Sequence, residues 1–390
     1  MKDNGFYIFI LFLLFVSCTE TKKQSITPWA SSLDEDSIPS NASFSMSDIQ
    51  NNGELIMLTL SGPETYYDYH GHGMGLQYLL CEKFAQKLGV SLRVEVCKDT
   101  TEMITKLKNG DADVIAIPLP KTFHGIRYAG VTDQSRKLQW AVAKTSTELA
   151  DSLNSWFKPS MIEKTKKEEQ FWLSTRNIVR HVYSPMLDRS GGVISHYDHY
   201  FRRYAPLARW DWRLLAAQCY QESTFDPKAR SWAGACGLMQ IMPSTADHLG
   251  LSRDKIYDPE QNIAAAAKYI RELESYFQEV PSGERTLFVL ASYNGGYHHI
   301  RDAMSLANKH GRNAHSWGEV REFVLKLASA PYYNDPVVKY GYMRGYETVD
   351  YVDKIRTRWA QYRGVASSGS NSSGFVTTPE RAQRKYKWHL

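Results

Sequence analysis

The sequence predicts an α/β amino-terminal domain on a parallel-rich sheet, followed by an all-α carboxyl-terminal domain. Three observations carry this. Strand and helix patterns alternate from Glu54 to Phe157, apolar residues recur at three and four from about Val193 to Arg363, and 390 residues are enough for two cores. The composition, 43% hydrophobic and 23% charged with 25 Gly and 15 Pro, is that of a folded protein and excludes a collagen-like or wholly disordered chain. Lys and Arg outnumber Asp and Glu by 47 to 42, and an excess of +5 is too small at this length to require nucleic acid, so none is expected as a partner. Aromatic residues reach 13%, which suits a sugar-facing groove and an ordinary core equally.

Phe6 to Val16 is an unbroken apolar run, about half of the roughly 20 residues that a bilayer-spanning helix needs, so residues 1–17 read as an export signal. Residues 18–50 are rich in Ser, Asn, Thr, Asp and Pro, the composition of a flexible tether. Residues 51–160 then alternate: a strand from Glu54 to Leu60, a helix from Gly75 to Leu88, a strand from Ser91 to Val96, a helix from Thr101 to Lys108 stopped by Asn109-Gly110, and a buried strand from Asp113 to Ile117. That βαβαβ order demands parallel strands. Leu138 to Ala143 adds a strand and Ser146 to Phe157 a helix. Met161 to Met186 is charged and helical in pattern, within a helical connector at 161–192; 193–363 form the helical domain; 364–390 start Ser/Gly-rich and end basic, a disordered tail.

Four cysteines besides Cys18 allow three pairings, and the spacings of Cys81, Cys97, Cys219 and Cys236 match no metal knuckle. Pairing stays unassigned, and free buried thiols are the expected state. His70-Gly71-His72 and His298-His299 have no obvious third ligand, so no metal or other cofactor is expected.

One residue stands out chemically. In the helix Asp211 to Glu222, Leu215, Cys219 and Glu222 share one apolar stripe, which sets a carboxylate at the carboxyl end of the helix on its buried side. Desolvation and the negative end of the helix dipole both favour the neutral acid there, the property a general acid needs. Asp226, nearby, reads as a helix or turn cap.

Around Glu222 runs an ordered series of motifs: Gln221-Glu222-Ser223-x-Phe225-Asp226-Pro227, Ser231, Gly234-Ala235-Cys236-Gly237-Leu238-Met239-Gln240-Ile241-Met242-Pro243, Ala291-Ser292-Tyr293-Asn294-Gly295-Gly296, and Tyr346-Glu347-Thr348-x-x-Tyr351-Val352. In order and spacing these resemble the four motifs of the family-1 lytic transglycosylases, whose domain is lysozyme-like. The resemblance implies an enzyme that cleaves the MurNAc-GlcNAc β-1,4 bond of peptidoglycan glycan strands without water and leaves 1,6-anhydroMurNAc ends. It further implies that Glu222 is the acid and then the base. Ser231, Gln240 and Met242 would line the sugar groove, Tyr293 and Asn294 would face the acid, and either Tyr346 or Tyr351 would complete the site. Two other functions use the same fold, a muramidase-type hydrolase and a non-catalytic peptidoglycan-binding lipoprotein.

Two further resemblances concern the amino-terminal half. Phe15-Val16-Ser17-Cys18 resembles the lipobox of bacterial lipoproteins, which implies lipidation of Cys18 and a membrane anchor; Thr19, not Asp, follows, which by the sorting rule implies the outer membrane, facing the periplasm. Gly75-Leu76-Gln77-Tyr78, Lys87-Leu88-Gly89-Val90 and Leu107-Lys108-Asn109-Gly110-Asp111-Ala112-Asp113 resemble one lobe of the type-3 extracellular solute-binding family. Only about 25 residues stand where that family has a second lobe, so a single lobe is expected. Arg127, in that short segment, reads as a surface ion-pair residue. The domain is either a spacer or allosteric module, or a sensor of a small ligand or muropeptide.

Overall fold

The computed structural model describes residues 45–133, 138–174, 179–189 and 191–366. The export signal, Cys18 and the basic tail lie outside the described residues. The first element, α1 (Met46–Asn52), begins inside the stretch that composition assigns to a tether. Its cause is local: the Ser45 hydroxyl accepts from the Asp48 amide, the Asp48 carboxylate accepts from the Ser45 amide, and Gly53 ends the helix at φ 69°. Ile49 pins it to the core.

Strands β1 (Glu54–Thr59), β4 (Ser91–Val96), β5 (Val114–Pro120), β6 (Ile126–Asp133) and β7 (Leu138–Ala143) form one sheet in the order β4-β1-β5-β7-β6. β1 pairs parallel with β4 and β5, while β7 runs antiparallel to both of its neighbours, so β6 points the same way as the first three. Helices α2 (Leu76–Leu88) and α3 (Thr100–Asn109) make the crossovers, and α4 (Thr147–Trp156) follows β7. Phe84, Trp140 and Leu153 fill one face of the sheet and Met103, Leu107 and Ile115 the other. The buried Trp140 indole donates to Gln77 Oε1 at 2.7 Å, so the core keeps no unpaired polar group there.

The sequence reading missed β6 because its alternation is broken: Gly130 sits at φ 73°, and the β6–β7 register shifts between Tyr128 and Thr132. Arg127, on this strand, is exposed and donates through Nε to the Lys144 carbonyl at 3.2 Å. A short hairpin of β2 (Tyr67–Tyr69) and β3 (His72–Met74) was likewise too brief to show a period.

The connector helix α5 (Ser160–Trp172) packs on α2, with Lys83 paired to Glu168 at 2.6 Å and Glu169 accepting from the Gly75 amide at 3.0 Å. The helical pattern suggested by the charges does not continue to Met186. Val179 instead exchanges two backbone bonds of 3.1 Å with Arg230, and the residue before Pro185 is held away from helix.

The helical part comprises α6 (Asp198–Ala208), α7 (Trp212–Ser223), α8 (Pro243–Leu249), α9 (Pro259–Ser275), α10 (Ser282–Gly295), α11 (Tyr297–Lys309), α12 (Trp317–Lys326), α13 (Ala330–Tyr333) and α14 (Gly345–Ala366). Helix α7 lies inside this array, with Leu214 to Cys219 all buried, and α6 and α14 pack against it. Phe201, Phe277, Phe288, Trp317 and Phe323 are among its largest buried side chains, each contributing about 2–3 kcal/mol through apolar burial. Cys81, Cys97, Cys219 and Cys236 are free and buried. Among the described residues no helix is long and apolar enough to cross a membrane.

Candidate active site

Helix α7 starts at Asp211, whose carboxylate accepts from the Arg213 amide at 3.0 Å, and Glu222 falls in its last turn. The chain then reverses sharply. Thr224 and Phe225 both adopt left-handed backbone, φ 53° and 63°, a cost of about 1–3 kcal/mol each that the surrounding structure has to hold. Three contacts do so. Phe225 is buried, with its ring against Tyr220 at 5.3 Å; the Thr224 hydroxyl donates to the His181 carbonyl at 2.9 Å; and Asp226 accepts from the amides of His181 at 2.6 Å and Lys228 at 2.9 Å. Asp226 is therefore occupied as a turn cap.

Glu222 keeps some solvent access, while its carboxyl group is surrounded by protein. The Tyr351 hydroxyl, from α14, donates to Glu222 Oε1 at 2.5 Å and itself accepts from Gln218 Nε2 at 3.1 Å. Arg180 donates through Nη1 to the Glu222 carbonyl at 3.1 Å, a cation at the negative end of α7. Burial pushes the Glu222 pKa from 4.5 up to about 7; the Tyr351 hydrogen bond and the Arg180 charge oppose it and lose. Neither opposing group is a carboxylate.

The other motif residues lie in two segments, each a candidate wall of a groove at this acid. The first is the loop after α7. Ser231 Oγ accepts from the Ala235 amide at 2.9 Å, and Cys236 pairs with Ile241. Gln240, at φ 47°, spends its amide hydrogens on the carbonyls of Ala229 at 3.1 Å and Gly237 at 2.8 Å; among the described residues its Oε1 is buried with no partner. Met242 caps α8 and is partly accessible. The second wall is built from α10 and α14. Tyr293 is near enough for the Glu222 charge to raise its pKa, an effect second to burial, and its hydroxyl donates to the Met239 carbonyl at 2.8 Å. Asn294 Oδ1 accepts from Thr348 Oγ1 at 2.8 Å, and Gly296, at φ 85°, ends α10. Of the two alternative tyrosines, Tyr351 reaches Glu222; Tyr346 is 60% exposed beside Arg344.

Sequence reasoning missed four residues that shape the site. Gln218 and Arg180 carried no signal, one lying mid-helix and the other in the connector. Thr348 lies within the last motif, and its spacing of three from Tyr351 puts both on one face of α14. Asn262 of α9 is fully buried; it accepts from the Met239 amide at 2.8 Å and donates to the carbonyls of Cys236 at 3.2 Å and Ile256 at 2.7 Å, tying down the first wall. A buried Asn between apolar positions was the only sign it offered.

One member of each histidine pair, His70 and His299, lines the same small pocket. His72 Nε2 lies 2.6 Å from the Ala233 carbonyl and His298 stacks on Tyr340 at 4.2 Å; among the described residues no group of three or more His, Cys, Asp or Glu is placed to hold a metal ion. The arrangement offers a proton donor that titrates near neutrality and a phenol bonded to it.

Residues 199–316 match the family described as Transglycosylase SLT domain. Over 79% of its length, and 79% of the relative's, the chain is 29% identical to a membrane-bound lytic murein transglycosylase F of Enterobacter sp. strain 638. A protein of the same description from Shewanella halifaxensis is 27% identical over 78% of this chain and 84% of that one. Among solved structures, the 70 kDa soluble lytic transglycosylase of Escherichia coli is similar at 28% identity, covering 44% of this chain and 24% of that chain with a TM-score of 0.32.

Proposed function

We propose that this SLT-domain protein is a peptidoglycan lytic transglycosylase in which Glu222 protonates the glycosidic oxygen between MurNAc and GlcNAc, and then, as carboxylate, takes the proton from the C6 hydroxyl of the same muramyl sugar. The C6 oxygen bonds to C1 as the glycosidic bond breaks, so the proton count closes on Glu222 and the product ends in 1,6-anhydroMurNAc. The relatives named as lytic murein transglycosylases support the reaction class.

The observation that carries the mechanism is a carboxyl group enclosed by protein, bonded to Tyr351 and poised near pH 7. Glycosidases that use two carboxylates place them about 5–5.5 Å apart for retention, or about 6.5–9.5 Å apart for inversion. Here two other carboxylates of the motifs are otherwise engaged: Asp226 caps a turn, and Glu347 is paired with Arg344 and bonded to Tyr69. An internal nucleophile needs no second carboxylate, and its effective molarity of about 10⁵ M or more outcompetes water. Ser231, Gln240, Met242, Tyr293 and Asn294 line the groove and hold the strand, and Tyr351 positions the Glu222 carboxyl. Export, lipidation at Cys18 and an outer-membrane site facing the periplasm fit a wall-cleaving enzyme and rest on the amino-terminal sequence.

Purified sacculi digested by the full chain and by Glu222→Gln test this. The wild type should release anhydromuropeptides and the variant none, with unchanged far-ultraviolet circular dichroism. Undiminished release by the variant removes the assignment, and products each heavier by one water make the enzyme a hydrolase.

A further inference from the structure

Between the connector helix and the helical domain, the chain passes over the carboxyl end of α7 as a strap. Residues 179–185 bury little of their own: Val179 is 78% exposed and Val182 65%, and Arg180 is the one among them that is not exposed. Hydrogen bonds hold the strap instead. Val179 exchanges its pair of 3.1 Å with Arg230, the His181 amide donates to Asp226 Oδ2 at 2.6 Å, and the His181 carbonyl accepts from the Thr224 hydroxyl at 2.9 Å. Farther along, the Tyr362 hydroxyl of α14 donates to the Pro185 carbonyl at 2.7 Å. With the Arg180 bond to Glu222, these partners bracket Thr224 and Phe225, the two left-handed residues of the turn.

Arg180 sits where it acts on the acid. Its Nη1 donates at 3.1 Å to the carbonyl of Glu222, one of the last-turn carbonyls that a helix leaves without an amide of its own. The carboxyl hangs from that same residue, so a guanidinium fixed on the carbonyl fixes the main chain that carries the acid and lays a lasting positive charge beside it. The other titratable groups that feel the Glu222 charge come from α7, α10 and α14: Cys219, Tyr293 and Tyr351. Burial holds the protons on all three, which leaves them neutral. Tyr351 gives the ionised carboxyl a hydrogen bond, and Arg180 gives it a charge.

We infer that Arg180, from a connector strap outside the helical domain, is a positioning residue for the acid: it anchors the last turn of α7 through the Glu222 carbonyl and supplies the positive charge that lets the enclosed carboxyl ionise and serve as the base of the second step. This rests on the reading of Glu222 as acid and then base. It adds a residue from outside the motifs that balances the two states.

Profiles of kcat and KM against pH for the full chain acting on soluble uncrosslinked glycan strands test it, with product ends identified by mass and the melting transition of each variant recorded. Arg180→Gln keeps a donor and loses the charge; Arg180→Lys keeps the charge and loses the planar fork. In Arg180→Gln the alkaline limb of kcat should move up by about half a pH unit, less than in Tyr351→Phe, with kcat at the optimum down about tenfold and KM little changed. Arg180→Lys should leave the limb in place and lower kcat less. In Arg180→Ala, guanidinium chloride below its unfolding range should return the limb towards its wild-type position, and sodium chloride at equal ionic strength should not. A wild-type profile in Arg180→Gln overturns the inference, as does a limb displaced equally in the glutamine and lysine variants. A fall in kcat with the limb undisplaced in every variant also overturns it, because a purely structural strap would act that way. Should Arg180→Gln be unfolded at the assay temperature, the lysine variant and the guanidinium rescue decide the matter. Products without anhydro ends overturn the function reading instead, which the mass readout separates from a wrong pH profile.

Discussion

Tyr351 stands 2.5 Å from Glu222 although 129 residues separate them, and its hydroxyl is the donor. A donor bond favours the ionised carboxyl, whereas burial favours the protonated one, so the pair holds Glu222 between two states. A residue that must first give and then recover a proton works best at such a balance.

Stability should record that balance. The Glu222 carboxyl titrates at about 7 in the folded protein and near 4.5 when unfolded. Between those values the native state holds a proton that the unfolded state has lost, so the contribution of this group to stability falls as pH rises through that window. Above pH 7 the full penalty applies, about 3 kcal/mol. Glu222→Gln has no charge to bury. Its melting temperature should match wild type near pH 4 and exceed it by roughly 5 °C at pH 8, measured by calorimetry across that range. An equal difference at both pH values would mean that the carboxyl is not desolvated.

Tyr351→Phe removes the bond that opposes burial. The alkaline limb of the kcat profile, set by loss of the Glu222 proton, should then move to higher pH, while kcat at its optimum falls about 10–100-fold as the carboxyl loses its orientation. The displaced limb separates this role from simple loss of fold. Gln218, whose amide donates to the same hydroxyl, should show a weaker version of the effect when changed to Leu.

How much of this the sequence disclosed depends on how local each cause is. The α/β and helical halves were legible because periodicity is written within each element, and so was the enclosure of the Glu222 carboxyl at the end of α7. The bulged β6 and the three-residue strands β2 and β3 were not, since a bulge or a short pairing leaves too few alternations to read. The choice between Tyr346 and Tyr351 was open because both lie within one motif; only the turn of α14 against α7 sends one to the acid and the other to solvent. Arg180 reaches the site through a long-range contact that no spacing encodes.

Gly295 should be intolerant of the smallest change. A Cβ there would press on the Met343 methyl and lie 2.5 Å from Thr348 Oγ1, the group that bonds Asn294. Gly295→Ala therefore overpacks the second wall and should cost about 1–3 kcal/mol in denaturant unfolding. It should also raise KM more than it lowers kcat, because Asn294 is displaced while Glu222 and Tyr351 keep their bond. A fall in kcat alone would place Asn294 outside the groove.

The first wall hangs on Asn262, and two substitutions distinguish its amide from its bulk. Asn262→Ala leaves the Met239 amide and the Cys236 and Ile256 carbonyls without their buried partner, a loss of about 3 kcal/mol or more. Asn262→Asp keeps the volume and still accepts from Met239, but sets a carboxylate oxygen against two carbonyls. Only its protonated form can donate to one of them, so this variant should be closest to wild type at low pH and lose melting temperature as pH rises. Because Met239 also receives the Tyr293 hydroxyl, both variants should lower activity in step with stability. A pH-independent Asn262→Asp melting temperature would show that the site admits water, and that the loop is held by something other than these three bonds.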